Sequence, residues 1–318
     1  MDDEELTKKK EPEKKRRRIP DRILITVLAA AILAGAFVFV FVNIEKEWNY
    51  VELDSDLDLI LLNSGDIIET IRGGLKMHSE SIKVVFYADG EYMDNIAELT
   101  SELMSRAMED TGDPEEGDYI LYQYGGYTCE YGHTETDDGY RYTIIITPEY
   151  YTDTEQEEAV DEAVEDVLAG LDLSDDSTDY EKFIAVYSYI FENCKYDDVH
   201  KNNDYYLLKY TAYGTLINKR AVCQGFCVTM YRLLRELDVD CRIITGLAEY
   251  EGETENHSWI IAGIDGLYYN VDITWDIQSE SHDYLLRCDA NFEDHIRDDK
   301  FLTEDFLLTY PMAGADYQ

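Results

Sequence analysis

Residues 213–276 read YGTLINKRAVCQGFCVTMYRLLRELDVDCRIITGLAEYEGETENHSWIIAGIDGLYYNVDITWD. Within this stretch Phe226, Cys227, Met230, Leu233, Leu234 and Leu237 recur at intervals of one, three and four. That spacing predicts an amphipathic helix with one buried face. Cys223 then falls in the helix's first turn, where unpaired backbone N–H groups and the positive dipole end favour an anion. A thiolate is such an anion, so the position predicts a depressed thiol pKa and a nucleophile near neutral pH. Gly225, two residues on, is expected to keep the approach to the sulfur open. The competing reading is a buried, inert helix cysteine.

A second element follows. His257 to Ile264 reads as a strand, Asp265-Gly266 as a two-residue turn, and Leu267 to Asp272 as the return strand. With Ile264 and Leu267 flanking the turn, His257 faces Thr274 and Asp272 faces Trp259. His257 and Asp272 then leave the same face of the ribbon as diagonal neighbours, roughly 7–8 Å apart at the backbone. An aspartate there can hold the imidazole in one tautomer and stabilise its protonated form. Alone, a strand histidine is usually exposed and an aspartate near a strand end usually solvated. The joint arrangement points to a nucleophile (Cys223), a base (His257) and an orienting carboxylate (Asp272).

These residues carry a resemblance. Tyr213-Gly214 followed by Val222-Cys223-Gln224-Gly225-Phe226 resembles the nucleophile motif of the transglutaminase-like superfamily. His257-Ser258-Trp259 resembles its histidine motif, and Tyr268-Tyr269-Asn270-Val271-Asp272-Ile273-Thr274-Trp275 its aspartate motif. The order and spacing agree. Cys227 stands where a small residue such as alanine is common, and Ile273 where proline is frequent; neither removes a catalytic group. The resemblance implies an α+β, papain-like core, of a membrane-anchored bacterial type, with no cofactor and no metal. It also implies thiol-dependent acyl transfer or hydrolysis on peptide or protein amides, cell-wall-associated substrates among them. The motifs leave hydrolase and transglutaminase open. Beside the Cys223 backbone N–H, Gln224 and Tyr213 are candidate oxyanion donors, and Gly225 and Trp259 candidate lining residues. A catalytically silent binding module and a structural cell-surface protein are the alternatives.

Composition sets outer limits. The chain has 318 residues, 45% of them hydrophobic, with 69 Asp/Glu against 27 Lys/Arg and a formal charge of −42. Such a balance argues against a general nucleic-acid binder, which needs a basic face. Residues 1–22 differ: nine Lys/Arg meet seven Asp/Glu, and Lys14-Lys15-Arg16-Arg17-Arg18 stands just before the apolar run from Ile23 to Val42. Twenty residues of helix span roughly 30 Å, a bilayer core. The run therefore predicts a single transmembrane helix over 23–42 rather than a cleaved signal peptide, whose apolar region is shorter. The basic cluster places residues 1–22 in the cytoplasm and the remainder outside the cell.

Residues 43–80 are expected to be a juxtamembrane segment broken at Gly73-Gly74. Asp54, Asp56 and Asp58 begin like a calcium loop, but Leu59 and Gly65 occupy positions that need glycine and glutamate. Residues 81–150 predict an auxiliary α/β region: a strand over 82–87, a helix over 92–108, and strands over 119–129 and 140–147 joined by a polar turn at 136–139. Cys129 and His133 are four apart, with no second pair to complete a zinc site. Residues 151–318 are expected to form the catalytic domain. It opens with helices over 154–171 and 177–194, packed beneath the helix that carries Cys223. A further strand is expected over 284–288. His282 and His295 fall outside the motifs and are read as structural or exposed. Six cysteines, one of them a required free thiol, do not support a complete disulfide framework.

Overall fold

The computed structural model describes residues 65–88, 90–250 and 252–318, and three short strands before them. The basic tail expected over 1–22 lies outside the described residues, as does most of the chain between 43 and 64. The spanning helix expected over 23–42 is not found. Its two ends are strands, β1 (Ile23–Val27) and β2 (Val38–Val42), paired antiparallel with Ile23 opposite Val42. Both ends are rich in β-branched or aromatic residues, which fit a strand. Residues 28–37 between them lie outside the described residues. Among the described residues no helix is long and apolar enough to cross a membrane.

The first sheet has the order β3 (Glu52–Leu53), β4 (Ile82–Ala88), β6 (Gly139–Tyr150) and β5 (Tyr124–Thr136). Alternation in β4 buries Ile82, Val84, Phe86 and Ala88. Those side chains pack on helices α1 (Gly65–Lys76) and α2 (Ile96–Ala107) through Ile67, Ile71, Leu75, Leu99 and Leu103. Gly73 and Gly74 therefore do not break the chain. They lie inside α1, where Ile71 and Leu75 supply enough burial to offset the poor helix propensity of glycine. Strands β5 and β6 are joined by a two-residue turn between Thr136 and Gly139, with Gly139 at φ 132°, a conformation open to glycine. Tyr119, expected in a strand, sits in the short helix α3 (Asp118–Leu121).

Two capped helices follow. Asp153 and Gln156 form a reciprocal capping box at the start of α4 (Thr154–Gly170), and Thr178 and Glu181 do the same for α5 (Asp179–Asn193). Their apolar faces join one core with α7 (Cys223–Glu236), which is flanked by β7 (Lys195–Tyr196), α6 (Ala212–Leu216) and β8 (Arg220–Ala221). Phe226, Leu233 and Leu234 of α7 are fully buried. Each stabilises the fold by roughly 1.5–3 kcal/mol.

The second sheet is antiparallel, with the order β11 (Leu267–Val271), β10 (Glu253–Ile264), β9 (Cys241–Tyr250) and β12 (His295–Arg297). It lies between two apolar layers. Ile260, Ala262 and Ile264 face the α7 core, while Trp259 and Ile261 face a second cluster with Phe292, Phe301 and Tyr310. The hairpin register has Ile264 opposite Leu267, as expected from the Asp265-Gly266 turn. The expected strand over 284–288 is not formed; Arg287 makes only an isolated bridge with Asn270. The last helix, α9 (Glu304–Thr309), follows β12.

Ion pairs tie the second sheet and α7 to residues 110–118. Arg242 on β9 donates to both oxygens of the buried Asp118, at 2.8 and 3.0 Å, and the Ile243 N–H adds a third bond at 2.8 Å. Arg235 pairs with Asp110 at 2.6 Å and Arg232 with Glu115 at 3.0 Å. The outer side of α7 is thus clasped by residues 110–118.

Candidate active site

Cys223 opens α7, and Val222 before it has extended backbone at φ −97° and ψ −179°. The chain turns sharply into the helix there and leaves the first N–H groups directed past the sulfur. Two close approaches hold the turn. The Val222 N–H donates to the Lys209 carbonyl at 3.0 Å. A Cβ on Gly225 would stand 2.6 Å from that same carbonyl oxygen and 2.8 Å from the Ala221 Cβ. Gly225 is buried, so backbone packing against Lys209 is the reason for glycine there, rather than access to the sulfur. Lys209 itself is buried, its ammonium donating to the carbonyls of His200, Lys201 and Asn203 at 2.9–3.0 Å.

His257 comes from β10, and its Nε2 lies 2.8 Å from Asp272 Oδ2. The other ring nitrogen, Nδ1, is not used by that bond, and the Cys223 thiol and the His257 ring lie near enough to shift each other's protonation. Asp272 does not continue the strand toward Trp259 and Thr274. The ladder ends at Val271, and Asp272 caps the helix α8 (Ile273–Ser279). Its Oδ1 accepts from the Thr274 and Trp275 N–H groups at 2.9 and 3.2 Å. A side-chain cap satisfies orphan helix donors and favours a negative charge at that end. One carboxylate thereby starts a helix with one oxygen and holds the imidazole with the other.

A fourth ionisable group belongs to this site. His295 Nε2 lies 3.1 Å from the same Asp272 Oδ2, and its Nδ1 lies 2.8 Å from Asp294 Oδ1. His295 is opposite Ala248, and Ala248 is opposite Glu255, so His295 shares a sheet face with His257. Gly246 permits this: a Cβ there would collide with the Ile296 carbonyl. No motif marked His295 in the sequence. It is packed among Phe292, Trp275 and Trp259, with ring centroids 3.9, 4.5 and 5.1 Å away.

The electrostatics follow from burial and these contacts. Burial pushes the Cys223 thiol up, but the neighbouring His257, with help from Ser258, holds it below its ordinary value. Burial pulls His257 down, and the Asp272 carboxylate more than reverses this, so its pKa is raised. Burial pushes Asp272 up, and the two histidines bring it below the usual carboxylate range. The arrangement favours a thiolate–imidazolium pair braced by an ionised aspartate. Cys227, one turn on, is fully buried and raised by that burial, which leaves it an unreactive core thiol.

The remaining residues singled out in the sequence are placed as follows. Gln224 donates to the Tyr122 carbonyl at 2.6 Å, which turns its amide toward α3. Tyr213 is half-buried on α6 against the α7 core. Trp259 is buried behind His257, donating to Asn270 Oδ1 at 3.2 Å, and does not line an open surface. Trp275, with its ring centroid 5.5 Å from that of His257, borders the site instead. It also lines a cleft of about 460 Å³ together with Glu255, Gln278, Ser279, Asp283 and Tyr284. His257, Asp272 and His295 have the donor types and spacing of a metal set. The same atoms already satisfy one another at hydrogen-bond distance, so a cation there would have to break those bonds. All six cysteines are free.

Residues 170–273 match the family model of the Transglutaminase-like superfamily. Cys223, His257 and Asp272 all lie within the matched span. Among solved structures, a chain described as "Crystal structure of a TGase" is similar over 60% of this chain and 50% of its own, at 15% identity and a TM-score of 0.34. A second, described as a "Putative Cysteine Protease from Cytophaga hutchinsonii", is similar over 54% of this chain and 65% of its own, at 14% identity and a TM-score of 0.32. This chain thus spans half of the first structure and just under two thirds of the second. No curated protein matches the chain.

Proposed function

We propose that the protein is a thiol-dependent enzyme acting on peptide or protein amide bonds, with Cys223 as nucleophile, His257 as acid and base, and Asp272 as the orienting carboxylate. The observation that carries this reading is the hydrogen bond from His257 to Asp272 beside a thiol that His257 holds below its ordinary pKa, with that sulfur at a helix start. The thiolate attacks the amide carbonyl carbon, and the Cys223 backbone N–H helps to hold the resulting oxyanion. His257 gives its proton to the leaving amine as the C–N bond breaks, which leaves a thioester. Water or a primary amine then attacks the thioester, losing its proton to His257, and the thiolate returns. Hydrolysis or acyl transfer results according to which nucleophile arrives. The cleft beside Trp275 is the place for a substrate side chain, and its Glu255 and Asp283 suit a basic group.

We also propose that the catalytic part lies outside the cell, tethered to the membrane through residues 23–42. Support for this is the basic cluster ahead of a twenty-residue apolar run. Carbonate extraction of membranes tests it: the full-length protein should remain with the lipid, and release into the wash would refute the tether.

The enzymatic reading is tested with a thiol-reactive peptide probe on the wild type and Cys223→Ala. Labelling confined to Cys223 and lost in the variant supports it. Equal labelling of both would refute it. Ammonia release that depends on an added amine separates transferase from hydrolase.

A further inference from the structure

Asp272 Oδ2 accepts from two rings, yet the proposed chemistry uses only one of them. The second ring, His295, has no exposed side-chain surface. It is held at both ends: Asp294 takes its Nδ1, and Asp294 is fixed in turn by the Tyr284 hydroxyl at 2.8 Å and by the Glu249 N–H, which bonds the Asp294 carbonyl at 2.9 Å. The stack against Phe292 and the edge of Trp259 block rotation of the ring. A side chain so constrained can fix the position of whatever it bonds, and what it bonds is the oxygen that aims His257.

We propose that His295 is a positioning residue for the thiol chemistry, acting through its Nε2–H bond to Asp272 Oδ2, and that Asp294 holds it for that task. The inference rests on the reading of Cys223 and His257 given above. The helix N–H groups of Thr274 and Trp275 fix Oδ1 alone, which leaves the carboxylate free to pivot about that oxygen. A second donor on Oδ2 removes the pivot. His257 then presents its other nitrogen to the sulfur in one orientation.

Two conservative variants separate positioning from plain packing. A glutamine amide nitrogen reaches about as far as a histidine Nε2, whereas an asparagine amide nitrogen reaches about as far as Nδ1. His295→Gln therefore keeps the bond to Asp272 and gives up the bond to Asp294; His295→Asn does the reverse. The probe is iodoacetamide, and the readout is its rate of reaction at Cys223 in the full-length protein, with thermal unfolding of each variant recorded alongside. His295→Asn should lower the rate about tenfold, the scale of one hydrogen bond to a charged group, and His295→Gln should recover most of that loss although both variants lose packing. Asp294→Ala, at a partly exposed side chain, should lower the rate severalfold and provides a second arm if His295→Asn does not fold. A wild-type rate in either His295→Asn or Asp294→Ala overturns the proposal, and so does an equal loss in the Gln and Asn variants. His257→Ala is the control. If it labels as fast as the wild type, the thiol reading itself falls; if it is slow while His295→Asn is fast, only the positioning role falls.

Discussion

Asp272 and His257, fifteen residues apart in sequence, meet at 2.8 Å with both side chains almost wholly buried. The pair decides how the thiol responds to pH. Cys223 is lowered from its ordinary value and His257 is raised from its own, so the ion pair exists in the window between them. Alkylation of Cys223 by iodoacetamide should decline less steeply as pH falls from 8 to 6 than that of an ordinary thiol, which slows about tenfold per unit. His257→Ala should restore that ordinary decline and slow labelling at pH 6 by about 10²-fold. A pH–rate profile by mass spectrometry measures both. Stability follows the same signs. The contribution from His257 is present below pH 6.5 and is lost as pH rises through its raised pKa. That from Asp272 is present above pH 3.8 and is lost as pH falls through its lowered one.

Asp118→Ala should destabilise the protein by about 3–5 kcal/mol, because it leaves Arg242 and the Ile243 N–H without their shared acceptor. Urea denaturation checks the magnitude. Loss of less than about 1 kcal/mol, the value of an exposed pair, would mean that the tie between α3 and β9 is incidental.

Gly225→Ala should cost about 1–3 kcal/mol through overpacking, since the added methyl group meets the Lys209 carbonyl oxygen and the Ala221 Cβ. Relief of that clash must move the first turn of α7. The variant should therefore also label more slowly at Cys223 even where it remains folded, as near-ultraviolet circular dichroism would show.

Asp276, one helical turn after Asp272, is buried, accepts from the Tyr187 hydroxyl at 2.7 Å, and is pushed up to about 6 by that burial. Its folded pKa exceeds the unfolded one. The resulting stability is present below about pH 4 and is lost as pH rises through about 6. Against Asp276→Asn, the wild type should grow relatively less stable between pH 4 and 6 and level off above. Denaturation midpoints across that range, with equal slopes for both proteins throughout, would count against the assignment.

The α7 helix and the β10–β11 hairpin were legible because each rests on local periodicity or a strong turn: the spacing from Phe226 to Leu234, and Asp265-Gly266 with Ile264 opposite Leu267. Asp272 was legible as a residue and not as a cap. Ile273-Thr274-Trp275 reads as well as strand as it does as helix, and only the end of the ladder decides between them. His295 was out of reach. Its role depends on β12, three residues long, pairing with β9 more than forty positions earlier, and no short pattern encodes such a meeting. Gly73-Gly74 misled for the opposite reason: local propensity spoke for a break, and burial of Ile71 and Leu75 overrode it. The run from Ile23 to Val42 was read by length and hydropathy alone, which do not register that its ends are β-branched and aromatic.

The clasp on α7 also bears on how the protein can be divided. A fragment beginning at residue 151 would part Arg242 from Asp118 and Arg235 from Asp110, partners 124 and 125 positions apart. It would also uncover Tyr231, whose hydroxyl donates to Asp110. Trimming to the reactive half would therefore loosen the very scaffold that presents the sulfur. Residues 110–118, more than a hundred positions before Cys223, are part of what holds the helix that begins with it.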